Sequence, residues 1–564
     1  MKQTETELLN EISRDNMLET VGRFNELFRY SGTEDGEKAA GYLKEKLDCY
    51  GVPYELCEYE GFFSTPLSAE VTVEGKQYRL VGDVYSEEAD GLSGELYYDF
   101  PCREKKRSQR QEHERFRAFF GKIVLTWDGK GDFARKALDA GALAVLHICG
   151  TKGGYIHHSN IGSVWGMPGL DEAVYMRFLP SAGISREDGE ELIGILAEGK
   201  REAVLSVKMD TGIRKSTMVI ADIPGKSENF VLVSGHYDSW YEGITDNAVS
   251  DAILLEYARI LNKRRGLLRR GIRIAWWSGH SDGRFSGSAW YCDSHYSQLK
   301  KRCVAHVNLD LTGCRNAEQI VARTAGTEGL DFTGKLIEKY TGKRPDAYVP
   351  MIRGADQSFW GADIPITIML KYEPEKDRRL SDCPSGGPWW HTPEDTLDKL
   401  DETIMMRDAG INLELIKAIE GAEILPVNIP EFTRDMDERL NRILASLTKD
   451  FDGREIREVW QRAKESLTAF EGMTEKGLAE DLDIKTVVGK ALHLFYCRKD
   501  AYTHDCGCPF GVFADIAQFG GITRDNTERA YYLMALTDFM RYKNRLCNGL
   551  EEMITYIEGM TLRR

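Results

Sequence analysis

No run in this sequence approaches the ~18 consecutive apolar residues that a membrane-spanning helix needs. The first residues, MKQTETELLNEISRDNMLE, are polar and acidic and lack the apolar core of a secretory leader. Positive charge is also short. The 74 Lys and Arg face 90 Asp and Glu, a net charge of −16, which argues against a general nucleic-acid or anionic-membrane surface. No internal repeat or low-complexity tract is present. The 12 cysteines are scattered, and without an export signal they are expected to stay reduced in a cytoplasmic chain. One cluster, Cys497, Cys506 and Cys508 with His504, matches no standard zinc knuckle and reads as buried or loop cysteines.

What is present is ordinary globular material, with 42% hydrophobic and 29% charged residues. At 564 residues the chain is too long for one core, which rarely serves more than ~250–300 residues. Residues 1–55 read as helical, with Leu8, Leu9 and Ile12 and then Ala39, Ala40, Leu43 and Leu47 at helical spacing. From 56 to about 210 the pattern is β-rich. SAEVTVEG, KQYRLVGDVY, GKIVLTWDG and AGALAVLHICG read as strands, Asp132–Ala140 as a helix, and Thr151–Pro180 as a long ordered loop. From about Thr217 apolar strands alternate with helices: MVIADIPG, ENFVLVSGHYDSW, GIRIAWWSGHSDG, CVAHVNLDLTG and ADIPITIML. That alternation predicts an α/β fold with a mixed, mostly parallel sheet, and ligands beyond the carboxyl ends of its strands. Residues 426–564 read as a helical domain. Its apolar faces would come from Trp460, Leu467, Phe470, Leu492, Phe495, Tyr531, Leu533 and Phe539.

Four motifs at these sheet ends carry metal-ligand residue types. They are Gly235-His236-Tyr237-Asp238-Ser239, Thr245-Asp246-Asn247, Asn308-Leu309-Asp310 and Trp390-His391-Thr392-Pro393-Glu394-Asp395-Thr396. Histidine with carboxylate suits a zinc-like cation. Two such ions bridged by one carboxylate suit hydrolysis, because they lower the pKa of a water and polarise a carbonyl. Singly, each motif also fits a structural histidine, a helix N-cap or a strand end. Four in this order on one sheet favour the metal reading.

The same motifs resemble the zinc-aminopeptidase superfamily (peptidase family 28), which contains aminopeptidases, glutamate carboxypeptidase II and the transferrin receptor. Its pattern runs His-x-Asp-Ser, Asp-Asn, Glu-Glu before Leu-Gly-Ser, Asn-x-Asp-x-x-Gly, and Tyr-His-Thr with a later Asp-Thr. Further, GKIVLTW, ALDAGALAVLHI and PSAGISREDGEELIGIL resemble the family's protease-associated insert, and the C-terminal helices its dimerisation domain.

The resemblance implies an aminopeptidase-like catalytic domain (1–55 with 211–425), an inserted β-rich protease-associated domain (56–210) and a C-terminal helical domain (426–564) that forms a homodimer. It implies two zinc ions, or one if the altered ligand position fails, and a peptide or small amide substrate. His236 would bind one metal with Asp310, Asp246 would bridge, and His391 would bind the second. Asp238 would orient the His236 imidazole. Asp356 and Gln357 stand where the family's substrate-lining Asp-His stands. Arg284 and Arg353 are candidates for a substrate carboxylate, and Tyr155, His157, His158 and Trp165 lie in the insert loop expected to roof the site.

The family's Glu-Glu pair is missing. Counted back from Gly287-Ser288 without a gap, Ser281 takes the general-base place and Asp282 the second-metal ligand place. One inserted residue puts His280 at the base and Ser281 at the ligand. Serine is no base near neutral pH, whereas histidine is. The preferred reading makes Asp282 the ligand and His280 the base. The alternative is a decayed site in a binding or scaffold homologue.

Overall fold

The computed structural model describes residues 8–100, 109–128, 131–345, 347–351, 354–374, 385–506 and 511–563. Its strands are β1 Tyr54–Val73, β2 Lys76–Gly82, β3 Ala89–Tyr98, β4 Lys122–Thr126, β5 Ala144–Ile148, β6 Ser181–Ile184, β7 Arg201–Ile223, β8 Phe230–His236, β9 Gly271–Trp277, β10 Cys303–Asn308, β11 Gln319–Thr324, β12 Ala347–Pro350 and β13 Ile366–Glu373.

The order β9-β8-β10-β13 is parallel throughout. Antiparallel β7 flanks it on one side, and β11 with β12 on the other. Every residue of β8, β9 and β10 is buried, as continuous apolar strands covered on both faces should be. One core joins these strands to helices α1 (Arg14–Phe24), α2 (Glu34–Tyr50) and α3 (Val249–Asn262) through Val21, Phe24, Leu43, Leu47, Leu254 and Leu261. Thus residues from the start of the chain pack on the sheet formed after residue 217.

The segment between forms a closed circuit of strands: β1-β2-β6-β5-β4-β3-β7, with β7 pairing back onto β1. Closure leaves this barrel no free edge. It holds its own core, including Val71, Leu80, Leu125, Leu146 and Leu205. β1 and β7 are 20 and 23 residues long and pair antiparallel from Tyr54↔Ala221 to Val73↔Ala203. Their far halves belong to the barrel, while Val219–Ile223 joins β9 of the central sheet. The sequence boundaries at 55/56 and 210/211 therefore fall inside continuous strands. In the loop between Thr151 and Pro180 a short 3₁₀ turn forms at Leu170–Tyr175.

The C-terminal part is helical, with α4 (Ile429–Ser446), α5 (Arg454–Glu475) and α6 (Arg529–Arg563) as its long members. Trp460, Leu467, Phe470, Leu492, Phe495 and Phe539 are buried as read from the sequence, but Tyr531 and Leu533 are each 47% exposed. Among the described residues no helix is long and apolar enough to cross a membrane.

Candidate metal centre

His236 closes β8, Asp246 lies in the turn before α3, Asp310 follows β10, and His391 sits in the segment after β13. The sheet brings all four to one edge. Asp246 stands between the imidazoles. Its Oδ1 lies 3.1 Å from His236 Nε2 and its Oδ2 lies 3.1 Å from His391 Nε2. Asp310 Oδ1 is 3.7 Å from His236 Nε2. Among the described residues, His236 Nε2, Asp246 Oδ1 and Asp310 Oδ1 are buried without a hydrogen-bond partner. Two carboxylate oxygens facing one imidazole nitrogen at these distances form a cradle that asks for a positive charge. Nitrogen and oxygen donors so arranged fit a divalent cation such as zinc. Burial opposes charging of His236, but Asp246 and Asp310 outweigh it and hold its pKa well above the ordinary value. Burial likewise works against ionised Asp246, and His236 and His391 outweigh it.

The backbone around Asp246 is fixed from three sides. The Asp395 carboxylate accepts from the Thr245 N–H at 3.0 Å, the Thr245 hydroxyl at 2.8 Å and the Asp246 N–H at 3.1 Å. Asn247 donates to the Leu309 carbonyl (3.1 Å) and accepts from the Leu311 N–H (3.2 Å), which ties the Asp246 turn to the Asp310 loop. Gly243 has φ +48°, and a Cβ there would fall 2.5 Å from the Asp246 carbonyl. Sequence reading gave Asp395 and Asn247 no role, although both lie inside the quoted motifs.

All three imidazoles are anchored through Nδ1. His236 Nδ1 donates to the Asp238 carbonyl at 2.9 Å. His391 Nδ1 bonds the His158 carbonyl at 3.0 Å, and the His158 N–H returns a bond to the His391 carbonyl at 3.1 Å. His280 Nδ1 bonds Asp356 Oδ2 at 2.7 Å. An imidazole held this way presents its other nitrogen to whatever lies in the cleft.

Two expectations are corrected here. The Asp238 carboxylate does not orient His236. It stands 3.8 Å from Nδ1 and instead accepts the N–H groups of Ser281 (2.8 Å) and His280 (3.3 Å), so it shapes the loop after β9. Asp282 does not join the ligand group. Its Oδ2 accepts the Ser31 N–H at 3.2 Å, and burial together with Asp238 pushes its pKa up to about 7. The turn from Gly279 to Phe285 has positive φ at Gly279, Arg284 and Phe285, and it sends His280 rather than Asp282 toward the cleft.

His280 lies flat on His236, with ring centroids 3.7 Å apart and an interplanar angle of 10°. Ligand atoms of His236, His280 and Asp310 lie within 4.8 Å of one another. An imidazole nitrogen offers its lone pair in the plane of its ring. Two rings stacked face to face cannot both direct their lone pairs at one ion. This geometry therefore suits His280 to proton transfer above the cradle rather than to ligation within it. Burial and His236 pull its pKa down, and Asp356 outweighs them to give a net rise.

Gln357 is buried beside Asp356, and its Nε2 has no partner among the described residues. The Arg284 guanidinium lies 5.6 Å from the centre of the Phe285 ring, which meets His280 edge-on at 4.9 Å. Arg353 lies outside the described residues. The barrel loop covers the cleft from two sides. Trp165 stacks on Phe285 at 4.2 Å and donates to Ser358. His158 stacks on Trp240 at 4.3 Å, and Trp390 stacks on His391 at 3.4 Å. His157 bonds Thr151 at 2.9 Å, and Tyr155 stacks on it at 6.3 Å. Away from the cleft, His504 meets Asp293 at 3.1 Å while Cys506 meets Glu172 at 3.1 Å. These two residues of the late cluster thus take different partners, and Cys508 lies outside the described residues.

A parallel-centred sheet with a histidine–carboxylate cradle at its carboxyl edge is an arrangement that suits metal-assisted hydrolysis. Residues 218–416 match the family model "Peptidase family M28". Leucine aminopeptidase 2 of Trichophyton equinum is 32% identical over 205 residues, a match spanning 36% of this chain and 39% of that protein. The chain therefore matches well under half the length of that relative. Among solved structures, an aminopeptidase from Aneurinibacillus sp. strain AM-1 superposes with a TM-score of 0.55 at 22% identity, covering 72% of this chain and 94% of that one. BSAP, a zinc aminopeptidase from Bacillus subtilis, does so with a TM-score of 0.54 at 20% identity and the same coverages. At these identities the two structures establish the shared fold.

Proposed function

We propose that this chain is a metal-dependent hydrolase of peptide or small amide bonds, of aminopeptidase type, with zinc as its metal. The observation that carries the reading is Asp246, which offers one oxygen to each of two imidazoles beside a third ligand-type side chain, Asp310. The names of the relatives support the aminopeptidase direction. When bound, the metal supplies Lewis acidity toward a water and the scissile carbonyl. His236, Asp246, Asp310 and His391 hold it. His280, fixed by Asp356 at Nδ1, takes a proton from the attacking water at Nε2 and returns it to the leaving amine. The barrel loop bearing His158 and Trp165 narrows the cleft and favours short substrates over folded proteins.

One observation favours a non-catalytic binding protein instead. Neither Ser281 nor Asp282 supplies a carboxylate at the place of the family's Glu-Glu pair. A substrate panel separates the two readings. Leucyl and other free-amine arylamides should be cleaved and their N-acetyl counterparts should not. A metal-loaded protein that cleaves neither these nor peptides with a free carboxyl end supports the binding reading.

The proposal keeps three functional units: 1–55 with 211–425, 56–210, and 426–564. It places the protein in the cytoplasm as a homodimer joined through the C-terminal helices. Exposed Tyr531, Leu533, Met534 and Met540 on α6 support the dimer.

A further inference from the structure

A second group of ligand-type side chains lies away from the cleft, where the C-terminal part meets the sheet domain. Cys292 and Asp293 stand side by side on the helix Ser286–Arg302, which links β9 to β10. His504 comes from the loop after the helix Lys490–Tyr496, 211 residues from Asp293 in the chain. A sulfur, a carboxylate oxygen and an imidazole nitrogen of these three lie within 4.8 Å of one another. His504 Nε2 is 3.1 Å from Asp293 Oδ1. A second thiol, Cys497, lines the same cavity, whose volume of about 10 Å³ is room for a single small particle. Cys292 and Cys497 are buried, while Asp293 reaches solvent.

The loop is built to hold this arrangement. Asp500 Oδ1 accepts from the N–H groups of Tyr502 (2.8 Å) and Thr503 (2.9 Å), which fixes the turn before His504. The Asp505 carboxylate accepts from the Arg498 N–H at 3.0 Å and so folds the loop back toward Cys497. Tyr502 packs on Tyr296 of the helix at 5.2 Å. Ser358 and Trp360, on the segment that carries Asp356, line the cavity as well.

We propose that Cys292, Asp293 and His504, with Cys497 as the fourth donor, form a structural zinc site that pins the C-terminal loop to the helix Ser286–Arg302. The donor chemistry selects the metal. Thiolate and imidazole suit zinc, whereas magnesium and calcium take oxygen donors. Four protein ligands make the closed shell of a structural site rather than the open shell of a catalytic one. The site would brace the segment behind Asp356 and does not depend on the hydrolytic reading above.

The test is titration of the metal-stripped, reduced full chain with Co²⁺, followed in the near ultraviolet, where thiolate-bound cobalt gives an intense charge-transfer band. His236, Asp246, Asp310 and His391 include no thiol, so the band does not report the cleft. The expected result is a band that saturates at one equivalent per chain and persists in His236→Ala. It should vanish in Cys292→Ala. His504→Gln should need at least ~10-fold more Co²⁺ for half-saturation, since even an outer partner of a metal ligand contributes that much. The absence of a thiolate band in the folded wild-type chain overturns the proposal, whatever either variant does. So does a band that Cys292→Ala and His504→Gln both leave unchanged, since the thiolate then lies elsewhere. Either outcome leaves the hydrolytic reading intact, and a thiolate band with these responses in a chain without hydrolysis upholds the structural site alone.

Discussion

His280 bears most of the chemistry assigned to a single side chain. His280→Ala should keep its metal content and lose ~10²–10⁴-fold in kcat, the usual contribution of general acid–base catalysis. Asp356→Asn should lose less, with KM unchanged, because it loosens only the anchoring of the ring. Full activity in His280→Ala would sink the assignment. A second residue sets a pH dependence away from the cleft. Burial pushes Glu328 up to about 7 from an ordinary 4.5, and its side chain is bonded by Thr324. Its folded pKa is raised, so its stabilisation is complete below pH 4.5 and is lost as pH rises through 7. Glu328→Gln should flatten the fall in urea midpoint between those values, and an unchanged slope would show that Glu328 does not contribute. At this scale the convergence of His236, Asp246, Asp310 and His391 was legible, because strand ends of a parallel sheet meet at one edge. The direction of Asp282 was not. It is held by the Ser31 N–H, a contact 251 residues away in the chain that residue type does not announce.

At the scale of elements, the buried strands β8, β9, β10 and β13 were legible as apolar runs. The lengths of β1 and β7 were not, since Gly61, Pro66 and Gly212 interrupt their pattern and at those positions it is their mutual pairing that holds them extended. Helix faces were legible where they meet a core, as at Trp460 and Phe470, and misread where α6 presents Tyr531 and Leu533 outward. The join between the C-terminal helices and the sheet turns on a buried cation that sequence pattern did not mark. Lys485 is 2% exposed, and its Nζ donates to the carbonyls of Cys303 (2.6 Å), Ala362 (2.8 Å) and Asp363 (3.1 Å). Lys485→Met keeps the stem and removes the donors, leaving three buried carbonyls short of partners at ~1–3 kcal/mol each. A fall in stability of about 3 kcal/mol or more is expected in urea melts, and an unchanged midpoint would contradict this account of the join.

At the scale of the whole molecule, the barrel is part of the cleft rather than an appendage. Two continuous strands carry it from the central sheet, and its loop holds His391 at both its imidazole Nδ1 and its carbonyl through the His158 main chain. The proposed dimer predicts twice the chain mass by light scattering at micromolar concentration, and Met534→Glu with Met540→Glu should yield monomers. A wild-type monomer would end that proposal. The central claim, that this cleft hydrolyses amide bonds with metal, is tested most directly by one measurement. The rate of leucyl-arylamide hydrolysis is followed on the wild-type chain after chelator treatment and again after stepwise zinc addition, with bound zinc counted at each step. The account predicts loss of activity on stripping and recovery in step with bound zinc. Hydrolysis indifferent to chelation, or zinc bound at the centre with no hydrolysis, would contradict it.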